Sequence, residues 1–286
     1  MKREFRFVKY HGCGNDFILR DEMDTEPTPD SVRSKLAKKL TRRNFEVGAD
    51  GILFIERAKG VDASMRLFEP AGNEADMCGN GIRCIAAYLS DRLGKPEIDI
   101  LTRDGVRRIV REGNEYKVDM GTVRWRRKDL RGYITDKGRS TDSMLSIVFK
   151  AKGRSHKGSV VNTGEPHIVA RTTDIDTLDM KGIGDSVNED TKRFPKGVNL
   201  NFVEVVGPHS IRVRTYERGV YDETLACGTG STAAAAVSLM LGWVKPGTVN
   251  VFTRGGRIRI DMDGSGRATM TGPAVPVFEG TAFVDV

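Results

Sequence analysis

Cysteine and histidine are both scarce in this 286-residue chain, with four of each, and each shortage excludes a class of chemistry. Four cysteines in a chain of this size are too few for the disulfide framework of a small secreted protein. They show no paired Cys-x-x-Cys spacing and the histidines are scattered, so the common zinc patterns are missing as well. No apolar run approaches the ~20 residues that span a bilayer. The start, Met1-Lys2-Arg3-Glu4-Phe5-Arg6, enters an alternating pattern rather than the apolar core of a secretory signal. These absences point to a cytoplasmic chain with no membrane partner. One-sided charge is missing too: the net charge is +7, but acidic residues are interspersed throughout, and the densest basic cluster, Arg124-Trp125-Arg126-Arg127-Lys128, is short. With no aromatic-studded basic tract, no nucleic-acid partner is expected.

What is present is a soluble globular composition, 38% hydrophobic and 30% charged, in a chain about twice the typical domain length of ~150 residues. An internal repeat organises it. Cys78-Gly79-Asn80-Gly81 and Cys227-Gly228-Thr229-Gly230 share the pattern Cys-Gly-polar-Gly at a spacing of 149 residues. Each precedes a helix-forming stretch, 82–92 and 231–241, and follows a strand-like run that ends in an aromatic-Glu pair, Phe68-Glu69 and Tyr216-Glu217. Glu56 and Glu204 close two further strand-like runs 148 apart, and Gly14-Asn15-Asp16-Phe17 parallels Gly164-Glu165-Pro166-His167 at 150. Four landmarks at nearly one offset imply two similar α/β halves, each a mostly antiparallel set of short strands around a helix, related by a pseudo-twofold axis.

A cysteine at a helix N-terminus is expected to have its thiolate stabilised by the unpaired amides and the positive dipole end. The same amides can hold a carboxylate. Two such starts on one pseudo-twofold axis would fork a carboxylate between them and leave a sulfur on either side of its α-carbon. That is the arrangement of a two-base racemase, in which one thiolate removes the α-proton and the opposite thiol donates to the other face. A phosphatase-like cradle wants an arginine six positions after its cysteine, but Arg83 lies five after Cys78 and none follows Cys227 before Arg254. A Walker loop needs Gly-Lys-Ser/Thr, which neither turn contains. Cys-His acyl transfer leaves the second cysteine unexplained. Reversible disulfide formation by the pair remains as a thiol redox alternative.

At these residues the chain resembles the diaminopimelate epimerase family of cofactor-independent racemases, essentially end to end. Tyr10-His11-Gly12-Cys13-Gly14-Asn15-Asp16-Phe17 resembles its N-terminal motif, and Met77 to Cys84 and Tyr216 to Gly230 resemble its two catalytic signatures. Thr163-Gly164-Glu165-Pro166-His167, Phe194-Pro195-Lys196-Gly197-Val198-Asn199 and Gly272-Pro273-Ala274 complete the series. The resemblance implies an α/β (α+β) fold of two homologous domains, residues 1–122 with 273–286 and residues 123–272. Each is a sheet wrapped around a central helix, the last strand returns to the first domain, and the active site lies between the two. It implies Cys78 and Cys227 as acid/base catalysts, assisted by His167 and Glu217. The backbone of Gly79, Asn80, Gly228 and Thr229 would take the α-carboxylate, and Asn15, Asn199 and Arg218 would contact substrate, Arg218 gripping the distal carboxylate. No metal, pyridoxal phosphate or nucleotide is implied, and a homodimer is. Cys13 and Cys84 read as packing residues.

Departures from the family pattern concern substrate recognition. Glu69 and Glu165 stand where many members have asparagine, and Gly51 where some have glutamine. The stretch between Arg218 and Cys227 is one residue longer than in the shortest forms. Two carboxylates in place of two amides would make the distal pocket acidic, so a basic amino acid lacking the distal carboxylate, such as lysine, ornithine, arginine or histidine, is an alternative substrate. The same two glutamates serve equally as ligands for the distal ammonium of diaminopimelate.

Overall fold

Short strands with alternating burial, and two helices buried on nearly every face, set the architecture. The computed structural model describes residues 3–135 and 142–285; Met1, Lys2 and Val286, which the sequence readings included, lie outside them. The chain divides into two units, Met1–Asp119 with Thr271–Val286, and Met120–Met270.

The first unit runs β1 (Arg3–Gly12), β2 (Asn15–Asp21), α1 (Asp30–Leu40), β3 (Gly51–Glu56), β4 (Ala63–Phe68), β5 (Glu74–Ala75), α2 (Gly79–Leu93), β6 (Glu97–Thr102) and β7 (Gly105–Glu112), and leaves along β8 (Glu115–Thr122). The second carries a 3-10 turn (Arg127–Leu130), β9 (Ile147–Ala151), β10 (Arg154–Asn162), β11 (Pro166–Arg171), α3 (Met180–Asn188), β12 (Asn199–Gly207), β13 (Ser210–Glu217), β14 (Asp222–Thr224), α4 (Gly228–Met240), β15 (Val249–Thr253) and β16 (Gly256–Met262). The chain then passes along β17 (Arg267–Pro273) into β18 (Val275–Val284), which lies antiparallel on β1 of the first unit.

Most pairings are antiparallel, and the exceptions fall at matching places. In the first unit β2 is parallel to β3 and β4 to β6; in the second β11 is parallel to β12 and β13 to β15. The registers match as well, with Phe17 opposite Gly51 in one unit and His167 opposite Asn199 in the other. The sequence repeat is therefore a structural one.

Each unit wraps its strands around one helix. Helix α2 packs on β1, β2, β3, β6, β7 and β18, and α4 on β10 to β13, β15 and β16. In α4 the run Ala233, Ala234, Ala235 and Ala236 is fully buried. Small side chains on all faces let strands approach from every direction, as a helix without a solvent face requires. The outer helices are ordinary amphipathic ones. Leu36, Ala37 and Leu40 of α1 join Phe5, Ile18, Phe54 and Phe68 in the first core, and Ile183 and Val187 of α3 join Phe149, Phe202 and Tyr216 in the second.

Both central helices begin three residues before the stretches expected from composition, because the Cys-Gly-x-Gly turn is itself their first turn. Helix α2 ends at Gly94, whose φ of 65° supplies the left-handed C-cap. Among the described residues no helix is long and apolar enough to cross a membrane.

Candidate active site

Cys78 and Cys227 occupy the same structural position, the N-cap of the central helix of their unit. Both have extended backbone (φ −138° and −120°, ψ 119° in each). Each sulfur accepts from the amide three residues on, Gly81 N and Gly230 N, at 3.4 Å. Gly79 and Asn80, and likewise Gly228 and Thr229, are the first residues of the helices, whose amides a helix leaves for an outside acceptor.

The surroundings of the two sulfurs differ. In the first unit the Cys78 thiol is half-buried and donates to Asn15 Oδ1 at 3.7 Å. The same oxygen accepts from Asn80 Nδ2 at 3.1 Å, and Asn80 Oδ1 accepts from the buried Arg83 at 2.9 Å. Asn15 Nδ2 donates to Asp50 Oδ2 at 2.7 Å. Asp50 is tied in turn to Arg43 at 2.7 Å, and Arg43 to Asp16, which also meets Lys9 at 2.6 Å. Burial pushes the Asp16 carboxyl up, but hydrogen bonds from Arg43 and Lys9 outweigh it and hold the group below its ordinary range.

In the second unit Cys227 is buried and lies 3.3 Å from Glu217 Oε2 and 3.4 Å from Thr229 Oγ1. Glu217 is steadied by Thr224 Oγ1 donating to its other oxygen at 2.5 Å. Burial first, and then the Glu217 carboxylate, push the Cys227 thiol well above its usual range, against the weaker pull of Thr229 and the Gly230 amide. The expectation of a stabilised thiolate at a helix N-terminus is therefore corrected for Cys227: desolvation and a neighbouring anion outweigh the helix end, and the residue rests as a thiol that donates to Glu217.

His167 is fully buried on β11. Asn201 Nδ2 lies 3.0 Å from its Nδ1 and Asn199 Nδ2 lies 3.5 Å from its Nε2. Burial, with a smaller contribution from Arg218, pulls the imidazole down to about 3, so it is neutral near pH 7. Asn199 Oδ1 accepts from the Arg218 amide at 2.9 Å. The Arg218 guanidinium holds Glu165 through Nε at 3.0 Å and through a second, shorter contact, and donates to the Lys196 carbonyl at 2.8 Å. Glu165 thus enters the site as half of an ion pair rather than as an added bare anion. Glu69, the counterpart of Glu217 in the repeat, accepts from Asn73 in the turn after β4. Cys13 and Cys84 are buried thiols, both raised by burial.

Within their own units the structure thus joins Asn15 and Asn80 to Cys78, joins Glu217 and Thr229 to Cys227, and gathers His167, Asn199, Arg218 and Glu165 into one connected group. Three participants escaped the sequence reading. Asn201 is two residues beyond Asn199, on the same face of one strand, and an Asn-x-Asn pair in the otherwise apolar run 198–203 was the available signal. Asp50 precedes a buried strand and reads as a turn residue. Thr224 carries no sequence signal at all.

The sequence profile described as diaminopimelate epimerase matches residues 7–126 and 159–277. The chain is 42% identical to the diaminopimelate epimerase of Methanothrix thermoacetophila over 99% of this chain and 98% of that one. It is 39% identical to that of Methanocella arvoryzae over the same shares, and 37% identical to that of Bacillus licheniformis over 98% and 99%. Among solved structures, a hydroxyproline epimerase from Agrobacterium vitis matches with a TM-score of 0.70 at 16% identity, covering 99% of this chain and 92% of that one. A Bacillus anthracis phenazine biosynthesis protein matches with a TM-score of 0.67 at 16% identity, covering 99% and 100%. These structural likenesses establish a shared two-domain fold.

Proposed function

Since this chain belongs to the diaminopimelate epimerase family and is an isomerase, we propose that it interconverts LL- and meso-diaminopimelate in lysine biosynthesis, with Cys78 and Cys227 as the acid/base pair. The observation that carries the reading is the identical N-cap placement of the two cysteines, each sulfur 3.4 Å from the amide three residues on. In one direction a thiolate takes the α-proton and the thiol of the other cysteine delivers its own proton to the opposite face. The carbon inverts, the two sulfurs exchange protonation states, and no external oxidant or cofactor enters the balance.

The remaining residues take roles that follow from their chemistry. Electron density released from the α-carbon moves onto the α-carboxylate, where the first amides of α2 and α4, at Gly79, Asn80, Gly228 and Thr229, stabilise it. Glu217, in contact with the Cys227 thiol, takes up and returns its proton as the two directions alternate. Asn15 and Asn199 contribute polar contacts to the substrate. Arg218 is the cation for the distal carboxylate, which takes over the Nε edge that Glu165 occupies here, leaving Glu165 and Glu69 available to the distal ammonium. The case for a basic amino acid lacking that carboxylate rested on two uncompensated acids, and Arg218 already compensates Glu165. The same reading takes the enzyme to be a cytoplasmic homodimer, which sedimentation of the purified chain checks.

Chiral chromatography of LL-diaminopimelate incubated with the enzyme should show the meso form appearing, with deuterium from heavy water at the α-carbon. Each of Cys78→Ala and Cys227→Ala should lower kcat by about 10³-fold or more. Near-normal turnover by either variant would refute the two-base account. Faster turnover of L-lysine than of diaminopimelate would restore the alternative substrate, and disulfide exchange without stereochemical change would restore the redox reading.

A further inference from the structure

Among the buried polar groups of the second unit, one residue outside every role assigned above has its hydrogen bonding fully determined by its neighbours. Asn201 is completely buried on β12. Its Nδ2 lies 3.1 Å from the Ile168 carbonyl oxygen. A backbone carbonyl can only accept, so the atom facing it is the amide NH2. The Oδ1 on the other side accepts from Thr215 Oγ1 at 2.9 Å. The second hydrogen of the same NH2 is directed at His167 Nδ1, 3.0 Å away, and that nitrogen must present its lone pair. Turning the amide over would set Oδ1 against the Ile168 carbonyl oxygen and lose the hydrogen bond that the NH2 makes there.

We propose that Asn201 is a positioning residue that fixes the tautomer of His167, keeping the imidazole proton on Nε2, so that His167 serves the reaction as a hydrogen-bond donor and not as a base. The Nε2 edge makes the opposite demand but more weakly, from a donor at 3.5 Å against the one at 3.0 Å from Nδ1. Its neighbour there, Asn199 Nδ2, is itself a donor, because Asn199 Oδ1 is taken by the Arg218 amide. Two donors at 3.5 Å do not satisfy each other, so the partner suited to Nε2–H is an acceptor brought by the substrate, of which a carboxylate oxygen is the strongest. The first unit carries the contrast. Phe17 and Leu53 stand in its parallel pair where His167 and Asn201 stand in the second, and neither can donate or titrate. The donor is therefore confined to one unit, and the two thiols act with unequal assistance.

The tautomer stands on geometry alone, whereas its use in catalysis rests on the epimerase reading, and the experiment separates them. Protein labelled with 15N at histidine is examined by long-range proton–nitrogen correlation, with His167 assigned among the four histidines by its loss in His167→Phe. The resting enzyme should show a pyridine-like Nδ1 and a protonated, pyrrole-like Nε2. In Asn201→Asp the carboxylate accepts from the ring, so the pattern should reverse, and kcat with diaminopimelate should fall about 10²–10³-fold while KM moves by less than about threefold. Asn201→Leu, which removes the anchor without adding charge, should give averaged nitrogen signals and an intermediate loss. A proton on Nδ1 in the unmodified enzyme overturns the proposal without recourse to any variant. So does a reversed tautomer in Asn201→Asp with full activity, or an Asn201→Leu protein whose tautomer and rate are both unchanged. If the tautomer is as stated and diaminopimelate is not epimerised, the functional reading fails and the tautomer assignment survives.

Discussion

At the scale of single residues, the Glu217–Cys227 contact is the most informative pair in the molecule. The sulfur is buried, raised as an acid, and 3.3 Å from a carboxylate oxygen. A thiol so placed gives up its proton readily only to a neighbour able to take it, and Glu217 is that neighbour. Glu217→Gln preserves size and keeps one of the two acceptor oxygens that Thr224 and the thiol use, while its NH2 donates to whichever of the hydroxyl and the sulfur turns to accept, so it should change the melting temperature little. It removes the proton acceptor, and kcat should fall by about 10²–10⁴-fold, the usual yield of a general acid–base group. Exchange of the substrate α-proton in heavy water is the direct measure. Unimpaired exchange by the glutamine variant would show that Glu217 only packs against the sulfur.

At the scale of elements, the two Cys-Gly-x-Gly turns share a backbone path but not a tolerance for side chains. A Cβ on Gly230 would lie 2.5 Å from Asn201 Oδ1 and 3.2 Å from both Cys227 Cβ and Thr215 Oγ1, whereas one on Gly81 would meet nothing nearer than the δ carbons of Leu53 at 3.3 Å and Cys78 Cβ at 3.5 Å. Asn201 is held by three hydrogen bonds and cannot give way, while Leu53 can shift its side chain. Gly230→Ala should therefore destabilise the protein by about 1–3 kcal/mol and disturb the tautomer lock, and Gly81→Ala should cost clearly less; thermal melts of the two variants compare them directly. Equal losses would mean that the turn itself, and not its neighbours, demands glycine. The same comparison marks how far the sequence could be read. The repeat, the helices behind each cysteine and the aromatic-Glu strand ends are legible because they are local patterns at a fixed offset. What differs between the halves is not local. Phe17 with Leu53 in one unit and His167 with Asn201 in the other become comparable only once the parallel strand register of each unit is known, and Glu165 loses its apparent novelty only when Arg218 is found holding it.

At the scale of the whole molecule, a duplicated fold with one buried imidazole should respond to acid unequally in its two units. His167 lies in the native state with its pKa pulled from 6.5 to about 3 by burial, with Arg218 adding to it. Below pH 6.5 the unfolded chain therefore binds a proton that the native chain refuses until pH falls to about 3. Stability must rise with pH across that window: the contribution of the neutral ring is fully present above pH 6.5 and is lost progressively on acidification, by on the order of a few kcal/mol in all. His167→Phe supplies the reference, since Phe17 shows that a phenyl ring fits the corresponding place in the first unit. Carboxylates titrate alike in both proteins and cancel in the difference. Between pH 6.5 and 4 the wild-type melting temperature should fall more steeply than that of His167→Phe, by about 2–4 °C for each kcal/mol of histidine linkage. Hydrogen exchange adds the location: on acidification the amides of β11 and β12 should lose protection before those of β2 and β3, where Phe17 has no proton to refuse. Parallel melting curves for the two proteins would mean that His167 titrates normally in the native state, and the account of it as a permanently neutral donor would fail with them.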